Sequence, residues 1–475
     1  MATYILGMDG LDKEIVESNI DEFPNFAKLD RYELESIYPP ITIPAWACSF
    51  SGLNPDKLEV FDFQMIDFED YSFHPVKDEK LNSEGFWNYF DGKVNIAGIP
   101  GAGTPEINGI SVGNLFYFSD VESKPESFVE KLDDGATEEK GLWSVDTEKE
   151  KRKTAHLNFE KRARIFDKLF QEEADVYYTV FRVSDTVMHH TLSEKHLVKA
   201  YRELDEYIGS FLENYFDPEE DNLIIISDHG AVKAEKRLFM NRLLEEGGFL
   251  ERKEGGQNSR FDNLMLRLGD IAQRIGFRDL VSSMNTALDH YFEKNVAPRK
   301  SKAIEKIDFS ETEAFSYMTG VSAYGGIWVN DQRFSNTKVE DRESKKSEIK
   351  EFLEEREEIR NVYYKEELYE ENVEKFPDLV VECYEDTKLS FGFHPDITAN
   401  VENYMHRKKG VLMARGVDIK SLKLENAELI DVAPTLMHLE GSDIPEHMDG
   451  KVLDIAKGEP NFVSKKDDET SGIDF

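Results

Sequence analysis

The chain is poor in cysteine, in basic residues and in long apolar runs. Only Cys48 and Cys383 occur in 475 residues. Two thiols so far apart give neither a thiolate metal motif nor a disulfide framework, so any metal centre has to use oxygen and imidazole donors. Lysine and arginine total 58 against 96 aspartates and glutamates, a formal net charge of −38. A field of that sign opposes general binding to nucleic acid or to an anionic membrane, and a phosphate-bearing substrate needs local positive charge to offset it. The same acidity suits a salty cytoplasm, where screening weakens self-repulsion. No apolar stretch approaches the roughly 18 residues of a membrane span, and "MATYILGMDG" lacks a basic region ahead of an apolar run. The expectation is a cytoplasmic protein with no membrane partner; oligomeric state is left open.

What is present is a chain long enough for a sizeable core, either in several domains or in one core carrying insertions. No internal repeat is visible. "TYILGMDGL", "KVNIAGIPG", "DVYYTVFRV" and above all "DNLIIISDHG" read as apolar strands closed by turn residues. Helical patterns lie between them, at 159–173 and 193–215. Such alternation predicts an α/β fold, a mostly parallel central sheet flanked by helices, with functional loops beyond the carboxyl ends of the strands. From 238 to 308 the pattern turns helical and richer in arginine and lysine, which suggests a helical insertion or lid, or a helical elaboration packed on the core. "AYGGIWVN", "FPDLVVECY" and "GVLMARG" bring strands back around a charged helix near 340–360, and "LIDVAPTLMHLEG" predicts a helix ended by Gly441. The expected division is a discontinuous catalytic core at 1–237 and 309–458, the 238–308 insertion, and a flexible polar tail at 459–475.

Several strand ends carry chemistry. In "FRVSDTVMHH", Asp185 and His189 stand four apart and share one face if the segment is helical with Ser184 as its cap. That face can offer one cation a carboxylate and an imidazole; a surface pair gives the same spacing. Asp228 and His229 follow the apolar "LIII", where a carboxylate is poorly solvated unless paired or metal-bound. Asp9 in "GMDG" repeats the arrangement, with a local turn as the plain alternative. In "YPPITIPAWACSFSG", Pro44 suits the first turn of a helix, which sets Thr42 at an N-terminus that favours an anion; an ordinary cap reads identically. His406 and His394 both offer a third imidazole. His190 is a supporting candidate, and His74, His156, His196, His290, His438 and His447 read as structural or surface residues.

Taken in order, Asp9 in "ILGMDGLD", Thr42 in "PPITIPAW", Asp185 and His189 in "SDTVMHH" and Asp228 and His229 in "ISDHG" resemble the alkaline phosphatase superfamily, most closely its type I phosphodiesterase/nucleotide pyrophosphatase branch. "FMNRLLEEGGFLERK", "TEAFSYMTGVSAYGGIWVN", "HRKKGVLMARG" and "IDVAPTLMHLEGSDIPEHMDGKVL" extend the likeness over most of the chain. The resemblance implies an alkaline-phosphatase-like fold and two divalent ions, zinc or manganese. Asp9, Thr42, Asp228 and His229 would hold one ion, and Asp185, His189 and His406 the other. His406 is preferred over His394 because the family's last histidine stands immediately before a segment like "RKKGVLMARG". It implies in-line hydrolysis of a small phosphodiester or nucleotide pyrophosphate through a covalent intermediate on Thr42.

The chain departs from that pattern at "KLEVFDFQ", where Leu58, Glu59 and Val60 replace a histidine-bearing "HGI" stretch and a nearby asparagine is missing. Arg182 and Arg333 are possible compensating phosphate contacts, with packing or surface roles as the alternative. A phosphomonoesterase, a phosphonate hydrolase and a phosphoglycerate-mutase-like enzyme share the framework, and a metal-binding homologue without turnover is a further reading. A sulfatase is disfavoured, because Cys48 lies six residues after Thr42 and fits no sulfatase pattern.

Overall fold

The computed structural model describes residues 1–463 apart from 83, 114, 116–120, 133–144, 146, 254–302, 319, 371–373 and 421–423. Its main sheet has nine strands. The parallel centre runs Asn222–Ile226, Thr3–Met8, Val176–Phe181, Val94–Ala97 and Gly109–Gly113. Antiparallel Glu122–Lys124 closes one side, and antiparallel Lys409–Gly416 lies on the other, followed by Asp30–Glu35 and Ala427–Glu428. The three central strands are buried throughout because both faces are covered, as continuous apolar runs in parallel sheets require. Successive side chains alternate between the two faces. Leu6, Met8, Leu223, Ile225 and Phe181 join the apolar cluster that includes Phe166 and Leu204, whereas Ile5, Ile224, Ile226 and Val180 join the cluster with Trp46 and Leu436.

The helices expected at 159–173 and 193–215 are Glu148–Leu169 and Glu194–Asn214, and the late ones are Arg342–Glu354 and Val432–Leu439. Gly441 has φ 66°, the left-handed conformation that ends a helix. The first helix begins earlier than its apolar pattern because Thr147 caps it, accepting from the Glu150 amide at 3.2 Å.

One division differs from expectation. The chain leaves the main sheet after Ile226 and rejoins it at Lys409, and between them it builds a second layer. Gly230–Phe239 pairs with Thr398–Arg407 and Thr387–Ser390, and a separate four-stranded sheet runs Ala314–Phe315, Tyr324–Val329, Leu379–Cys383 and Ile359–Tyr364. These strands enclose their own core around Phe315, Trp328, Leu353 and Val381. "AYGGIWVN" and "FPDLVVECY" therefore pair with each other and not with the main sheet. Local propensity identifies a strand without naming its partner. Most of the expected 238–308 insertion lies outside the described residues; within it, Met240–Glu246 is helical and Arg252 bridges Ile307. Of the tail, Phe462–Val463 pairs with Ile444–Pro445, and 464–475 lies outside the described residues.

Candidate active site

Asp9 is the first residue beyond the Thr3–Met8 strand, Asp228 follows its neighbour Asn222–Ile226, and Asp185 lies in the Val183–His189 helix that follows Val176–Phe181. All three carboxylates thus reach the same end of the sheet. Gly10 lets the first loop turn: its φ is 73°, and a Cβ there would stand 3.1 Å from the Asp185 Cα. The Asp185 amide donates to the Asp9 carbonyl at 3.0 Å, and the Ser184 hydroxyl donates to the same oxygen at 2.5 Å. Ser184 is therefore not the helix cap expected from the sequence. The cap position is Arg182, and the fully buried Ser184 hydroxyl uses the nearest acceptor.

The strands that cross between the layers deliver two histidines. Gly230–Phe239 and Thr398–Arg407 are antiparallel with Ala231 opposite His406, so His229 and His406 stack with ring centres 3.6 Å apart. Their Nδ1 atoms lie 3.0 Å from the Gly230 carbonyl and 2.8 Å from the Pro40 carbonyl. A carbonyl only accepts, so Nδ1 carries the hydrogen and each Nε2 turns a lone pair inward. His229 Nε2 is 3.5 Å from Asp9 Oδ1 and 3.4 Å from Asp228 Oδ2. Asp185 Oδ1 is 3.0 Å from His189 Nε2, 3.4 Å from His406 Nε2 and 3.9 Å from His229 Nε2, and the His189 and His406 Nε2 atoms are 3.0 Å apart.

Two overlapping trios can each hold a cation: Asp9, Asp228 and His229, and Asp185, His229 and His406. The division expected for the second ion had His189 in place of His229. His189 does touch both Asp185 and His406, while His229 belongs to both trios. The fit to divalent ions rests on orphaned atoms: Asp9 Oδ1, Asp185 Oδ1, Asp228 Oδ2 and His229 Nε2 are buried without a hydrogen-bond partner. Four lone-pair donors aimed at one another are costly unless a cation lies among them, and carboxylate with imidazole is a donor set for divalent transition ions.

Electrostatics agree. Burial, then Asp185, pushes the Asp9 carboxyl up to about 8, with Arg182 opposing. Burial, then Asp9 and Asp185, holds Asp228 well above the carboxylate range. Burial also raises Asp185, but the adjacent His189 and His406 outweigh it and hold that carboxyl well below its ordinary value. Burial lowers His229, with His406 adding to the effect, and burial lowers His406. Raised carboxyls at Asp9 and Asp228 beside lowered imidazoles at His229 and His406 form a site poised to exchange protons for cations.

Thr42 is the first residue of the Thr42–Ser51 helix and is 1 % exposed. Pro40, two residues earlier, is the acceptor for His406, which brings this helix N-terminus to the cluster. The packing is close: a Cβ on Gly7 would lie 2.5 Å from the Trp46 ring, so the helix rests directly on the central strand.

His394 stands elsewhere, stacked on Phe239 at 4.6 Å. His190 is bound to Glu148 at 2.7 Å. His74, His156, His196 and His438 contact Ser72, Glu203, Thr191 and Lys457, His447 packs on the Tyr89 ring, and His290 lies outside the described residues. Arg333 is a packing residue, held at 2.7 Å by both Asp331 and Asp378 in the second layer. Arg182 binds the carboxylates themselves, 3.3 Å from Asp9 Oδ2 and 3.5 Å from Asp185 Oδ2. The segment that departs from the family pattern is a packing seam: Leu58 and Val60 join the main core, Phe61 packs on Phe376 and Trp328 of the second layer, and Glu59 pairs with Lys80 at 2.5 Å. No local pattern pointed to the Pro40 carbonyl or the Gly7–Trp46 contact, because their partners are remote in the chain.

The sequence model of the type I phosphodiesterase / nucleotide pyrophosphatase family matches residues 3–412. No curated protein matches the sequence. Among solved structures, murine ectonucleotide pyrophosphatase / phosphodiesterase 5 is similar with TM-score 0.54 and 13% identity, covering 93% of this chain and 95% of that one. An inactive threonine-to-alanine variant of the murine protein, in complex with AMP, is similar with TM-score 0.52 and 12% identity, covering 93% and 95%. Phosphonoacetate hydrolase from Sinorhizobium meliloti 1021, in complex with phosphonoformate, gives TM-score 0.55 and 12% identity, covering 91% and 94%. The chain belongs to the type I phosphodiesterase / nucleotide pyrophosphatase family and is a metal-dependent hydrolase of the alkaline phosphatase superfamily.

Proposed function

We propose that the chain hydrolyses phosphodiester or nucleotide pyrophosphate bonds of a small substrate, with Thr42 as nucleophile and with Asp9, Asp228, His229, Asp185, His189 and His406 as the ligands of two divalent ions. The convergence of orphaned carboxylate and imidazole lone pairs beside a helix that begins with threonine carries this reading. Bound there, the ions supply Lewis-acid charge that lowers the pKa of a hydroxyl and offsets charge on phosphoryl oxygens. The Thr42 oxygen attacks phosphorus, the bond to the leaving oxygen breaks in line, and water then cleaves the phosphothreonine ester. The N-terminus of the Thr42–Ser51 helix favours the anionic phosphoryl group. The neutral Nε2 lone pairs of His229 and His406 are held in place by the Gly230 and Pro40 carbonyls.

A diester is favoured over a monoester by the use of Arg182. Its guanidinium faces Asp9 and Asp185, so its charge is directed to the ligands and not to an additional anionic phosphoryl oxygen. The murine relative bound to AMP supports a nucleotide as one substituent. The similarity to phosphonoacetate hydrolase puts a phosphonate in the test panel.

The test is Thr42→Ala, purified with manganese or zinc and assayed on an aryl phosphodiester, an aryl monoester, a nucleotide pyrophosphate and phosphonoacetate. Diester hydrolysis is expected to fall by about three orders of magnitude or more while metal content is largely retained. Near-full activity of the variant removes the covalent mechanism. A wild-type chain that binds two ions but turns over none of the panel points to a homologue that only binds metal.

A further inference from the structure

Arg182 occupies a position that neither the ligand assignment nor the nucleophile explains. It follows the Val176–Phe181 strand directly and stands at the N-cap position of the helix bearing Asp185 and His189, with its side chain turned to the carboxylates and not to the helix amides. Its side chain is 14% exposed and lies between two almost wholly enclosed carboxylates. Nε is 3.3 Å from Asp9 Oδ2, and Nη2 is 3.5 Å from Asp185 Oδ2. In both carboxylates the other oxygen, Oδ1, faces the histidines. Asp9 belongs to one cation trio and Asp185 to the other. One guanidinium therefore holds the outer oxygen of one ligand from each subsite.

We infer that Arg182 is a positioning residue that sets the spacing of the two cation subsites and couples their occupancy; this rests on the two-ion reading above. A guanidinium is a rigid planar fork that donates in fixed directions, whereas an ammonium is a point donor and cannot keep two carboxylates at a set separation. The outer oxygens of Asp9 and Asp185 are thereby fixed relative to each other, and with them the inner oxygens that face the cations. On its other side Arg182 lines a small pocket with Phe159, Val183, Thr186 and Arg162 from the Glu148–Leu169 helix, so the two carboxylates are what fix its direction. The arginine acts through the ligands and has no part in the chemistry at phosphorus.

The full-length chain is tested as wild type, Arg182→Met, Arg182→Lys and Arg333→Met. Each is titrated with manganese by calorimetry, examined by electron paramagnetic resonance and checked for folding by far-ultraviolet circular dichroism. The wild type is expected to bind two equivalents and to show an exchange-coupled dinuclear spectrum. R182M is expected to bind its second equivalent about tenfold or more weakly, with the coupled spectrum replaced by signals of isolated ions. R182K keeps the charge without the fork and is expected to recover part of the affinity but not the coupling. R333M breaks a buried ion pair in the second layer and is expected to be less stable with the coupling intact. Wild-type affinity and coupling in R182M overturn the inference, as does loss of coupling in R333M. If R182M fails to fold, R182K decides alone, and a fully coupled R182K overturns the inference. A wild-type chain that binds fewer than two ions overturns the two-ion reading itself.

Discussion

At the scale of single residues, the site depends on where lone pairs point. His406 and His394 are twelve residues apart and equally able to bind a metal in isolation. Only His406 has its Nδ1 against the Pro40 carbonyl and its Nε2 against Asp185, whereas His394 stacks on Phe239. His406→Ala is expected to lower metal affinity by about tenfold to a hundredfold, while His394→Ala keeps wild-type metal content. Elemental analysis of the dialysed proteins decides, and a reversed result refutes the ligand assignment. Away from the site, Glu440 illustrates the cost of a buried acid. Burial pushes its carboxyl up to about 7 from an ordinary 4.5. A raised carboxyl pKa means that the folded chain holds a proton the unfolded chain releases. Its stability contribution is therefore complete below about 4.5 and is lost as pH rises through 7. Glu440→Gln is expected to raise stability at pH 8 by roughly 1–3 kcal/mol and to change it little at pH 4.5. Urea unfolding at the two pH values measures the difference.

At the scale of elements, the catalytic geometry is set by how closely one helix approaches one strand. Gly7 has no side chain where the Trp46 ring and Val180 lie, and a Cβ there would come within 2.7 Å of both. Gly7→Ala is expected to destabilise the fold by about 1–3 kcal/mol, because neither a buried indole nor a central strand can yield freely. It should also lower activity more than metal content, since the displaced helix carries Thr42 and not the carboxylates. Combining it with Trp46→Leu is expected to restore most of the stability, measured as Tm. The strands were legible as elements because their apolar runs are short and closed by turn residues. The helix at Arg342–Glu354 was legible from its charge pattern, and its Asp341 cap accepts from the Ser344 amide at 3.0 Å. The pairing of Tyr324–Val329 with Leu379–Cys383 was not legible, because nothing local in either strand distinguishes the second sheet from the first.

At the scale of the whole molecule, a net charge of −38 surrounds a site proposed to accept an anionic phosphate ester. The acidic surface repels itself and its substrate alike, and both effects weaken as salt shortens the screening length from roughly 10 Å at 0.1 M to 3 Å at 1 M. The unfolding midpoint is accordingly expected to rise between 0.1 M and 2 M potassium chloride, and KM for a nucleotide pyrophosphate to fall over the same range. Equal midpoints at both salt concentrations rule out a role for surface repulsion. Among the described residues no helix is long and apolar enough to cross a membrane.

The sequence by itself determined the α/β class, the apolar strands, and the residue types that stand at their carboxyl ends, since periodicity and turn chemistry are local properties. It also placed Asp9, Thr42, Asp185, His189, Asp228, His229 and His406 in an order that resembles one family. Tertiary structure alone decided that His229 and His406 stack, that the Pro40 carbonyl orients an imidazole 366 residues away, and that Arg182 spans two carboxylates. Those outcomes depend on strand pairing and helix packing between distant segments, and such contacts leave no mark on the sequence near either partner.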